Sequence, residues 1–488
     1  MRDLLKRLMR MVIGYGAVQW AGPFLSLIFT PIITRALTPG DYGVADYLLT
    51  IVSALSTLAL FGIPSALTTH FNDQPEDLGW QRSVIGSAFV IVGFSGILFG
   101  GALFIFAPAL TAFVPILGPY TALLRLMAVI LMIGLTGSVL TTASQAALRV
   151  RWGMVYSLIS IVGTVVGNLL FIVVLRLGTT GMILTSVTTG LATWFAAMIL
   201  TRRMIGRPSL PVMKKLLRSG SILLPTVMAF WALQVSDRLF LGQQVTATEL
   251  GYYAIANRMA GLVGVAMAPI YASWTPLALA VQHKPGSVAR YVSMSRYLIV
   301  TVLAMGLGIG LFSTEILIVL TRPAYLPAAP YVGFLAYMYV FSGFGAVLTT
   351  GALMGKQLAS VTGAIVTGAI VNVVLNYLLI PRYGVWGATV ATVIGYGVPQ
   401  VILYFSLRIR YPIPYPIGRF MAAFGVQLAL MLVGLVVSPG SFQLRIALKL
   451  VLFTVFPLMM LLVRMITPFE AKQVQLFLHN RLRLAMQR

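Results

Sequence analysis

The chain has 488 residues, of which 59% are hydrophobic and only 9% are charged. A water-soluble domain carries about 25% charged residues, so this composition excludes a soluble globular protein. Cysteine is absent, which excludes disulfides and thiol chemistry. The net charge of +24 does not indicate nucleic-acid binding, because no basic polar domain interrupts the apolar sequence.

Apolar runs of about 20 residues recur along the chain, and each is long enough to cross a ~30 Å hydrocarbon core. They predict an all-α integral membrane protein with about 14 transmembrane helices, because helices satisfy their own backbone groups in lipid. The first run is too long for a signal-peptide core and is interpreted as a retained helix. The predicted spans are residues 12–36, 44–71, 83–106, 120–148, 156–176, 181–201, 219–241, 250–281, 293–320, 330–354, 358–380, 384–407, 420–438 and 444–465.

The distribution of positive residues sets the predicted orientation. Most of the 34 lysine and arginine residues fall on one side of the membrane if both termini are cytoplasmic. This bias, together with attraction to anionic lipids, explains the high net charge. Residues 467–488 have the spacing of an amphipathic helix on the cytoplasmic surface, beginning with a capping box at Thr467 and Glu470.

Three short patterns recur with a period of about 206 residues, which equals six predicted spans. The first is Thr-x-x-acid-x-Gly, the second is Arg-x-Gly-x-x-Gly, and the third is a single proline within a span. They occur at Thr38–Gly43 and Thr246–Gly251, at Arg176–Gly181 and Arg382–Gly387, and at Pro64 and Pro269. An even number of spans gives both copies the same orientation, so the sequence predicts a parallel repeat.

The repeat predicts two pseudo-symmetric six-helix lobes plus two C-terminal helices. The N-lobe covers residues 1–201 and the C-lobe covers 219–407, with a basic cytoplasmic linker at 202–218. Spans 13 and 14 fill 408–466, and the tail helix covers 467–488. Two such lobes can rock and open a central cleft to either side of the membrane in turn.

Three segments resemble one known family. Thr30–Phe71, Ser236–Ala260 and Asn376–Gly397 are similar to Wzx-type polysaccharide and O-antigen repeat-unit flippases. These belong to the multidrug/oligosaccharidyl-lipid/polysaccharide exporter (MOP) superfamily, and the resemblance covers roughly residues 10–405. The lipid II flippases are relatives with a different signature at the first hairpin, so they rank second.

The resemblance implies a non-enzymatic transporter without a cofactor in the bacterial cytoplasmic (inner) membrane. Its cargo would be an undecaprenyl-pyrophosphate-linked oligosaccharide, moved from the cytoplasmic to the outer leaflet for polysaccharide or lipopolysaccharide synthesis. Membrane lipids surround it, and a polysaccharide polymerase or ligase is an open partner. The identity of the sugar, the coupling ion and the oligomeric state are not predicted.

Charged residues inside the spans are the candidates for substrate binding, because burying a charge in lipid is unfavourable. Guanidinium groups suit a pyrophosphate, since they offer bidentate donors. The candidates for binding the pyrophosphate are Arg258, Arg35, Arg238 and Arg125. Two carboxylates are predicted charge partners. Asp46 would hold Arg35 or Arg258, and Asp237 would pair with a group on another helix.

Two further groups of residues are candidates for other steps of transport, substrate entry and helix bending. Arg149 and Arg151 lie at the inner end of span 4 and would meet the pyrophosphate first, although the positive-inside bias alone also explains them. Pro23, Pro31 and Pro225 interrupt spans 1 and 7 and are candidate hinges. Glycine pairs at 96/100 and 163/167 predict close helix packing. Glu315 and Arg322 are predicted to lie in the outer interfacial region.

Other classes of protein fit the residues less well. A cation-coupled multidrug antiporter of the same fold needs carboxylates in its cavity, and the buried acids reduce to Asp46 and Asp237. A glycan-assembly enzyme needs clustered acids on a sizeable loop, and the only acidic cluster lies on a short inner loop, 73–77. A metal site is not predicted, because the three histidines are far apart. A non-transporting membrane scaffold remains open.

Overall fold

The computed structural model describes residues 29–282, 286–410, 412–437 and 441–466, and every element in these ranges is helical. Short 3₁₀ segments connect some of the helices, and one π-helical segment, Asn168–Val174, extends α6. The helices are α1 (described from 29 to 36), α2 (Pro39–Leu60), α3 (Ile63–Phe71), α4 (Leu78–Phe113), α5 (Thr121–Ala146), α6 (Val150–Gly167), α7 (Gly178–Thr201), α8 (Leu210–Gln244), α9 (Ala247–Ala260), α10 (Leu262–Val281), α11 (Ser287–Leu311), α12 (Ser313–Leu320), α13 (Ala329–Met354), α14 (Leu358–Arg410), α15 (Ile417–Val436) and α16 (Phe442–Leu462).

The described part of the chain contains twelve helices, or runs of consecutive helices, that are long and apolar enough to cross a membrane. One of them, α14, includes a non-helical residue, Gly384, so it holds predicted spans 11 and 12. Predicted span 1 is described only from residue 29. The described helices therefore account for predicted spans 2–14, and the protein is a multi-pass, all-α membrane protein.

The described residues form two compact units. The first holds the chain up to Ile255 together with Ile318–Pro327 and Ile365–Gly395. The second holds Ala256–Leu317, Ala328–Ala364 and the chain from Tyr396 onward. The lobes inferred from the repeat are a different division of the chain, and they stay a prediction.

The recurring Thr-x-x-acid-x-Gly pattern is a helix start. Thr38 and Asp41 form a capping box at α2, in which each side chain accepts from the other residue's backbone N–H at 3.1–3.2 Å. Thr246 and Glu249 do the same at α9, at 3.0 and 3.3 Å. A capping box satisfies two N–H groups that have no partner within the helix. The predicted start of span 2 at residue 44 was therefore about one turn late.

The glycine that ends this pattern is required by close packing in the first unit. A Cβ atom on Gly43 would overlap the carbonyl oxygen of Ala247 and the backbone nitrogen of Gly251. A Cβ atom on Gly251 would overlap the carbonyl oxygen of Pro39. The two copies of the pattern thus cross each other backbone to backbone, which only glycine permits at these two positions.

The recurring Arg-x-Gly-x-x-Gly pattern is a tight turn between two helices. Its first glycine has positive φ in both copies, +56° at Gly178 and +52° at Gly384, as expected for turn glycines. Its second glycine, Gly181 or Gly387, faces a backbone carbonyl of the preceding helical segment, which a Cβ atom would contact too closely. The two copies therefore share a local geometry as well as a sequence.

The glycine pairs inside the spans pack helices closely, as predicted. Gly96 and Gly100 of α4 face backbone carbonyls of α5, and Gly163 and Gly167 of α6 face threonine side chains of α7. Small residues at these positions let the helix backbones approach each other. Close packing therefore joins α4 to α5 and α6 to α7, the helices that surround the cavities described below.

Helix breaks and prolines occur in several spans. Predicted span 2 is divided at Gly62, which has a φ of +68°, and predicted span 8 is divided at Gly261. Pro225 lies inside α8 and Pro31 lies inside α1, whereas Pro23 lies outside the described residues. The hinge roles of the three prolines stay a proposal.

Three charged side chains anchor α16, the last described helix of the second unit. Glu315 of α12 lies 2.6 Å from the Nζ of Lys449 and 3.3 Å from the Nε of Arg445, both on α16. The side chain of Glu315 is only 12% exposed and that of Lys449 only 5%. The predicted interfacial position of Glu315 stays a prediction, and the structure adds that α16 covers this carboxylate. One contribution of span 14 is therefore to pair this carboxylate.

Candidate functional site

Arg238 of α8 lies in a buried ionic network of the first unit. Its Nε is 2.6 Å from the Oδ2 of Asp46 on α2, and its guanidinium donates to the carbonyl of Gln234 one turn earlier at 3.1 Å. The side chain is only 13% exposed. A buried guanidinium needs a close counter-charge to offset its lost hydration, and Asp46 supplies one.

Asp237 completes the network with a carboxylate that is only 2% exposed. It accepts hydrogen bonds from the hydroxyl of Tyr253, from the hydroxyl of Thr392 at 3.1 Å and from the backbone N–H of Arg238 at 2.7 Å. These donors stabilise the ionised carboxylate. They also fasten α8 to α9 and to the second half of α14.

Two asparagines extend the polar cluster next to Asp237. The amide of Asn376 donates to the hydroxyl of Ser236 at 3.3 Å and to the side-chain oxygen of Asn372 at 3.2 Å. Tyr253, Asn372 and Asn376 were not among the predicted site residues. The sequence did contain a signal for the two asparagines, because residues four apart in an apolar span share one helix face.

The charge balance of this network limits what Arg238 can bind. One guanidinium faces two carboxylates, since Asp237 lies 4.0 Å from it beside the Asp46 pair. The positive charge is therefore already compensated within the protein. The arrangement suits a structural or positioning role better than direct binding of a pyrophosphate.

Arg35 and Arg125, two other candidate arginines of the first unit, form no ion pair with this network. Arg35 is exposed at the end of α1. Arg125 is also exposed, with its guanidinium 5.3 Å from the centre of the Phe104 ring. Arg258 is half-buried on α9 and belongs to the second unit. Within the first unit, the structure therefore does not gather Arg35 and Arg125 around Arg238.

A different set of arginines shares one large cavity of the first unit. The cavity has a volume of about 780 Å³ and lies where α4 and α6 begin and α5 and α7 end. No acidic side chain is among the described residues that line it. Its four positive side chains are Arg82, Arg149, Arg202 and Arg203. We call it the arginine pocket, and the orientation predicted from the sequence would place it on the cytoplasmic face.

Local contacts fix the backbone around the arginine pocket. The N–H of Gly206 donates to the carbonyl of Arg82 at 3.0 Å, which ties the segment after α7 to the first turn of α4. The guanidinium of Arg149 lies 4.1 Å from the centre of the Trp152 ring, a cation–π distance. Arg151 is exposed but does not line the pocket. The structure thus separates the two arginines that were predicted to meet the substrate first.

The acidic side chains of loop 73–77 have their partners outside the arginine pocket. Asp73 lies 2.7 Å from the Nζ of Lys215 and 2.8 Å from the Nδ1 of His70. The hydrogen bond from Lys215, reinforced by that of His70, lowers the pKa of Asp73 below its usual value. Asp77 caps α4 by accepting from two backbone N–H groups at 2.7 and 3.0 Å. Neither carboxylate lines the pocket.

Comparison with known proteins identifies the family. The sequence profile described as "Polysaccharide biosynthesis protein" matches residues 32–330. The chain belongs to the polysaccharide biosynthesis protein family. This confirms the resemblance found in the sequence. An uncharacterized membrane protein of Methanocaldococcus jannaschii is 30% identical over 115 residues, which is 23% of this chain and 22% of that protein. The match thus spans less than a quarter of that relative.

Solved structures show that this family member has the MOP-superfamily fold. The lipid II flippase MurJ, in an inward closed conformation, superposes with a TM-score of 0.71 at 14% identity, covering 92% of this chain and 98% of MurJ. An inward-facing multidrug-resistance MATE family transporter gives 0.61 at 17% identity, covering 80% and 94%. A MATE transporter of Vibrio cholerae gives 0.55 at 13% identity, covering 84% and 99%.

Proposed function

We propose that this protein is a flippase for a lipid-linked oligosaccharide. It carries a glycan on a polyprenyl pyrophosphate from the cytoplasmic to the outer leaflet of a bacterial cytoplasmic membrane. Its family and its fold support a role in moving lipid-linked material for polysaccharide synthesis. The released lipid would then supply a polymerase or ligase on the outer side.

The observation that carries the proposal is the arginine pocket. Four guanidinium groups around about 780 Å³ provide enough donors and positive charge for a pyrophosphate, and no carboxylate in the lining competes. The pocket lies at the helix ends assigned to the cytoplasmic face, where a lipid-linked glycan is assembled. Arg149 would thus contact the headgroup before translocation begins. Arg258, Arg35 and Arg125 remain candidates for later contacts.

A multidrug antiporter of the same fold is the main alternative. It would need carboxylates available to a cationic cargo. Among the described residues, the acids inside the predicted spans are Asp46, Asp237 and Glu315, and each lies beside an arginine or lysine. The pairing of these acids therefore disfavours cationic cargo.

The proposal is tested by measuring flipping in proteoliposomes with a fluorescent polyprenyl-pyrophosphate oligosaccharide and a membrane-impermeant quencher. Arg149→Ala should slow flipping by about tenfold or more, because a charge-assisted hydrogen bond contributes roughly 1.5–3 kcal/mol. Arg149→Lys should restore part of the rate. Arg151→Ala is the matched control and should flip normally. Flipping that is absent in the wild type, or equal in Arg149→Ala and the wild type, would contradict the proposal.

The driving force is part of the same proposal. Outward movement of an anion follows an inside-negative potential, which is worth ~2.3 kcal/mol per charge per 100 mV. Collapsing the potential across the proteoliposomes should therefore slow flipping. An unchanged rate would show that the potential does not drive transport.

The membrane orientation is testable because the chain lacks cysteine. Arg207→Cys, in the exposed segment after α7, should react with an impermeant thiol reagent only in inverted membranes. Leu177→Cys, in the exposed turn before α7, should react only in right-side-out cells. The opposite labelling pattern would reverse the predicted orientation and move the arginine pocket to the outer face.

A further inference from the structure

A second cavity of the first unit has a chemistry unlike that of the arginine pocket. It has a volume of about 430 Å³ and lies among the middle portions of α5, α6 and α7. Seven serine and threonine side chains, three glycines and Trp194 line it, and none of these residues is titratable. We call it the hydroxyl cavity. Its volume lies within the ~300–1,000 Å³ of small-ligand sites.

One hydroxyl group in this cavity is buried without a partner. Thr189 of α7 is only 7% exposed, it lines the cavity, and its Oγ1 makes no hydrogen bond. Serine and threonine in apolar helices ordinarily donate to a backbone carbonyl one turn earlier. Thr193, one turn later on the same helix, does so at 2.9 Å. Leaving a buried hydroxyl unpaired is unfavourable by about 1–3 kcal/mol, so Thr189 is poised for a polar ligand.

The remaining hydroxyls of the cavity include acceptors. Ser138, Thr141 and Thr193 donate their protons to backbone carbonyls at 2.7–3.0 Å. Their oxygens retain lone pairs that can accept hydrogen bonds from a ligand. The cavity thus offers Thr189 as a donor beside several acceptors, which matches the mixed character of a ligand rich in hydroxyl groups.

Trp194 gives the cavity a fixed aromatic surface. Its Nε1 donates to the hydroxyl of Thr136 at 2.8 Å, and Phe195 packs edge-on against it with ring centres 5.0 Å apart. Gly137 leaves space for the indole, because a Cβ atom there would lie 3.2 Å from the Trp194 ring. A held aromatic ring can stack on the C–H face of a pyranose.

We propose that the hydroxyl cavity is a binding subsite for one neutral sugar ring of the transported glycan. This inference rests on the proposed function. An acyl chain would fill the space but satisfy none of its hydroxyls. A pyrophosphate would find no positive charge. A sugar ring satisfies both the polar groups and the aromatic surface.

The two cavities are separate sites along the same three helices. Tyr156 of α6 and Ala197 of α7, which pack in one buried cluster with Leu140 of α5, lie between the helix portions that line the two cavities. On α5, α6 and α7 the separation is five to eight residues, or about 7–12 Å at 1.5 Å per residue. Substitutions in one cavity should therefore leave the other intact.

The test compares two lipids bound to purified protein in nanodiscs. The probes are polyprenyl pyrophosphate alone and the same lipid carrying one N-acetylhexosamine. A panel of methyl glycosides of glucose, galactose, mannose and N-acetylglucosamine provides sugar without lipid. The variants are Thr189→Val, which keeps the shape of the side chain, and Ser160→Ala, at an exposed position of the lining that tolerates truncation. Thr188→Val, the adjacent threonine outside the lining, is the matched control.

We expect the wild type to bind at least one methyl glycoside and to prefer the glycosylated lipid. Thr189→Val and Ser160→Ala should each reduce that preference by about three- to tenfold, which is the effect of one neutral hydrogen bond. Affinity for the bare lipid should not change, and Thr188→Val should match the wild type. Glycoside binding should alter tryptophan fluorescence in the wild type and not in Trp194→Phe.

The outcomes distinguish this inference from the proposed function. Equal binding of both lipids and no binding of any glycoside would refute the sugar subsite while leaving the flippase proposal standing. Glycoside binding that depends on Thr189, without binding of either lipid, would support the subsite and refute the flippase proposal. A sugar preference that survives both cavity variants would place the sugar elsewhere and refute the inference.

Discussion

Replacing Gly43 with alanine tests how the two recurring hairpins pack. Gly43 and Gly40 lie on the same first turns of α2, and each can be changed to alanine. A Cβ atom on Gly43 would overlap backbone atoms of Ala247 and Gly251. A Cβ atom on Gly40 would lie 3.7 Å from the side chain of Thr248, an ordinary contact. The pair therefore isolates one close backbone approach.

The expected difference follows from two opposing effects. Alanine favours a helix over glycine by up to about 1 kcal/mol, and this gain applies to both positions. Overpacking typically destabilises by about 1–3 kcal/mol, and this applies only at Gly43, where the neighbouring atoms are backbone and cannot rotate away. Gly40→Ala should be neutral or stabilising. Gly43→Ala should be about 1–3 kcal/mol less stable than Gly40→Ala.

The assay is the apparent unfolding temperature of the purified protein in detergent, measured at one heating rate because unfolding of such proteins is often irreversible. Gly251→Ala should behave like Gly43→Ala, since it meets the carbonyl of Pro39. In the double variant Gly43→Ala/Gly251→Ala, the unfolding temperature should fall by less than the sum of the two single decreases, because one displacement of α2 relieves both overlaps. Equal unfolding temperatures for Gly40→Ala and Gly43→Ala would refute the reasoning.

Three further predictions concern charged groups. Arg238→Ala should destabilise the protein by about 3–5 kcal/mol, because it leaves the buried carboxylate of Asp237 and the half-buried carboxylate of Asp46 without their counter-charge. Stability equal to that of the wild type in a detergent unfolding assay would contradict this. The lowered pKa of Asp73 means that its ion pairs stabilise the fold above about pH 4, so the stability advantage over Asp73→Asn should vanish as the pH falls through the folded pKa. A difference in unfolding temperature that persists at such acidic pH would argue against it. Glu315→Gln should destabilise the protein more than the double variant Glu315→Gln/Lys449→Met, because the single change leaves Lys449 buried without its carboxylate. A double-mutant cycle that shows no coupling between the two positions would exclude this pairing.

The helical class and the approximate number of spans follow from composition, because a bilayer fixes the length of an apolar helix. The roles of single residues at helix ends follow less directly. The sequence showed Thr38 and Asp41 in a recurring pattern but placed the start of the helix at residue 44, because apolar windows ignore capping. The requirement for glycine at position 43 was not predictable, since it arises from contact with backbone atoms about 200 residues away in the chain.

The sequence also does not predict which arginine is available to bind a ligand. Arg238 and Arg149 are both positive residues at or near the ends of spans. The packing of α2 against α8 brings Asp46 to Arg238. The turn between α5 and α6 places Arg149 at a cavity whose lining contains no acidic side chain. Pairing between distant helices leaves no local pattern, so a count of arginines overestimates the number that can bind an anion.

The placement of the two cavities has an energetic logic for a cargo that is part charged and part neutral. An isolated pyrophosphate in an apolar setting is far more unfavourable than a sugar hydroxyl, which costs about 2–7 kcal/mol when it is left without a partner. The charged cavity accordingly lies at the helix ends, where water reaches the four arginines. The hydroxyl cavity lies mid-span, where neutral donors and acceptors suffice. Each half of the cargo would thus be stabilised by a lining of its own chemistry.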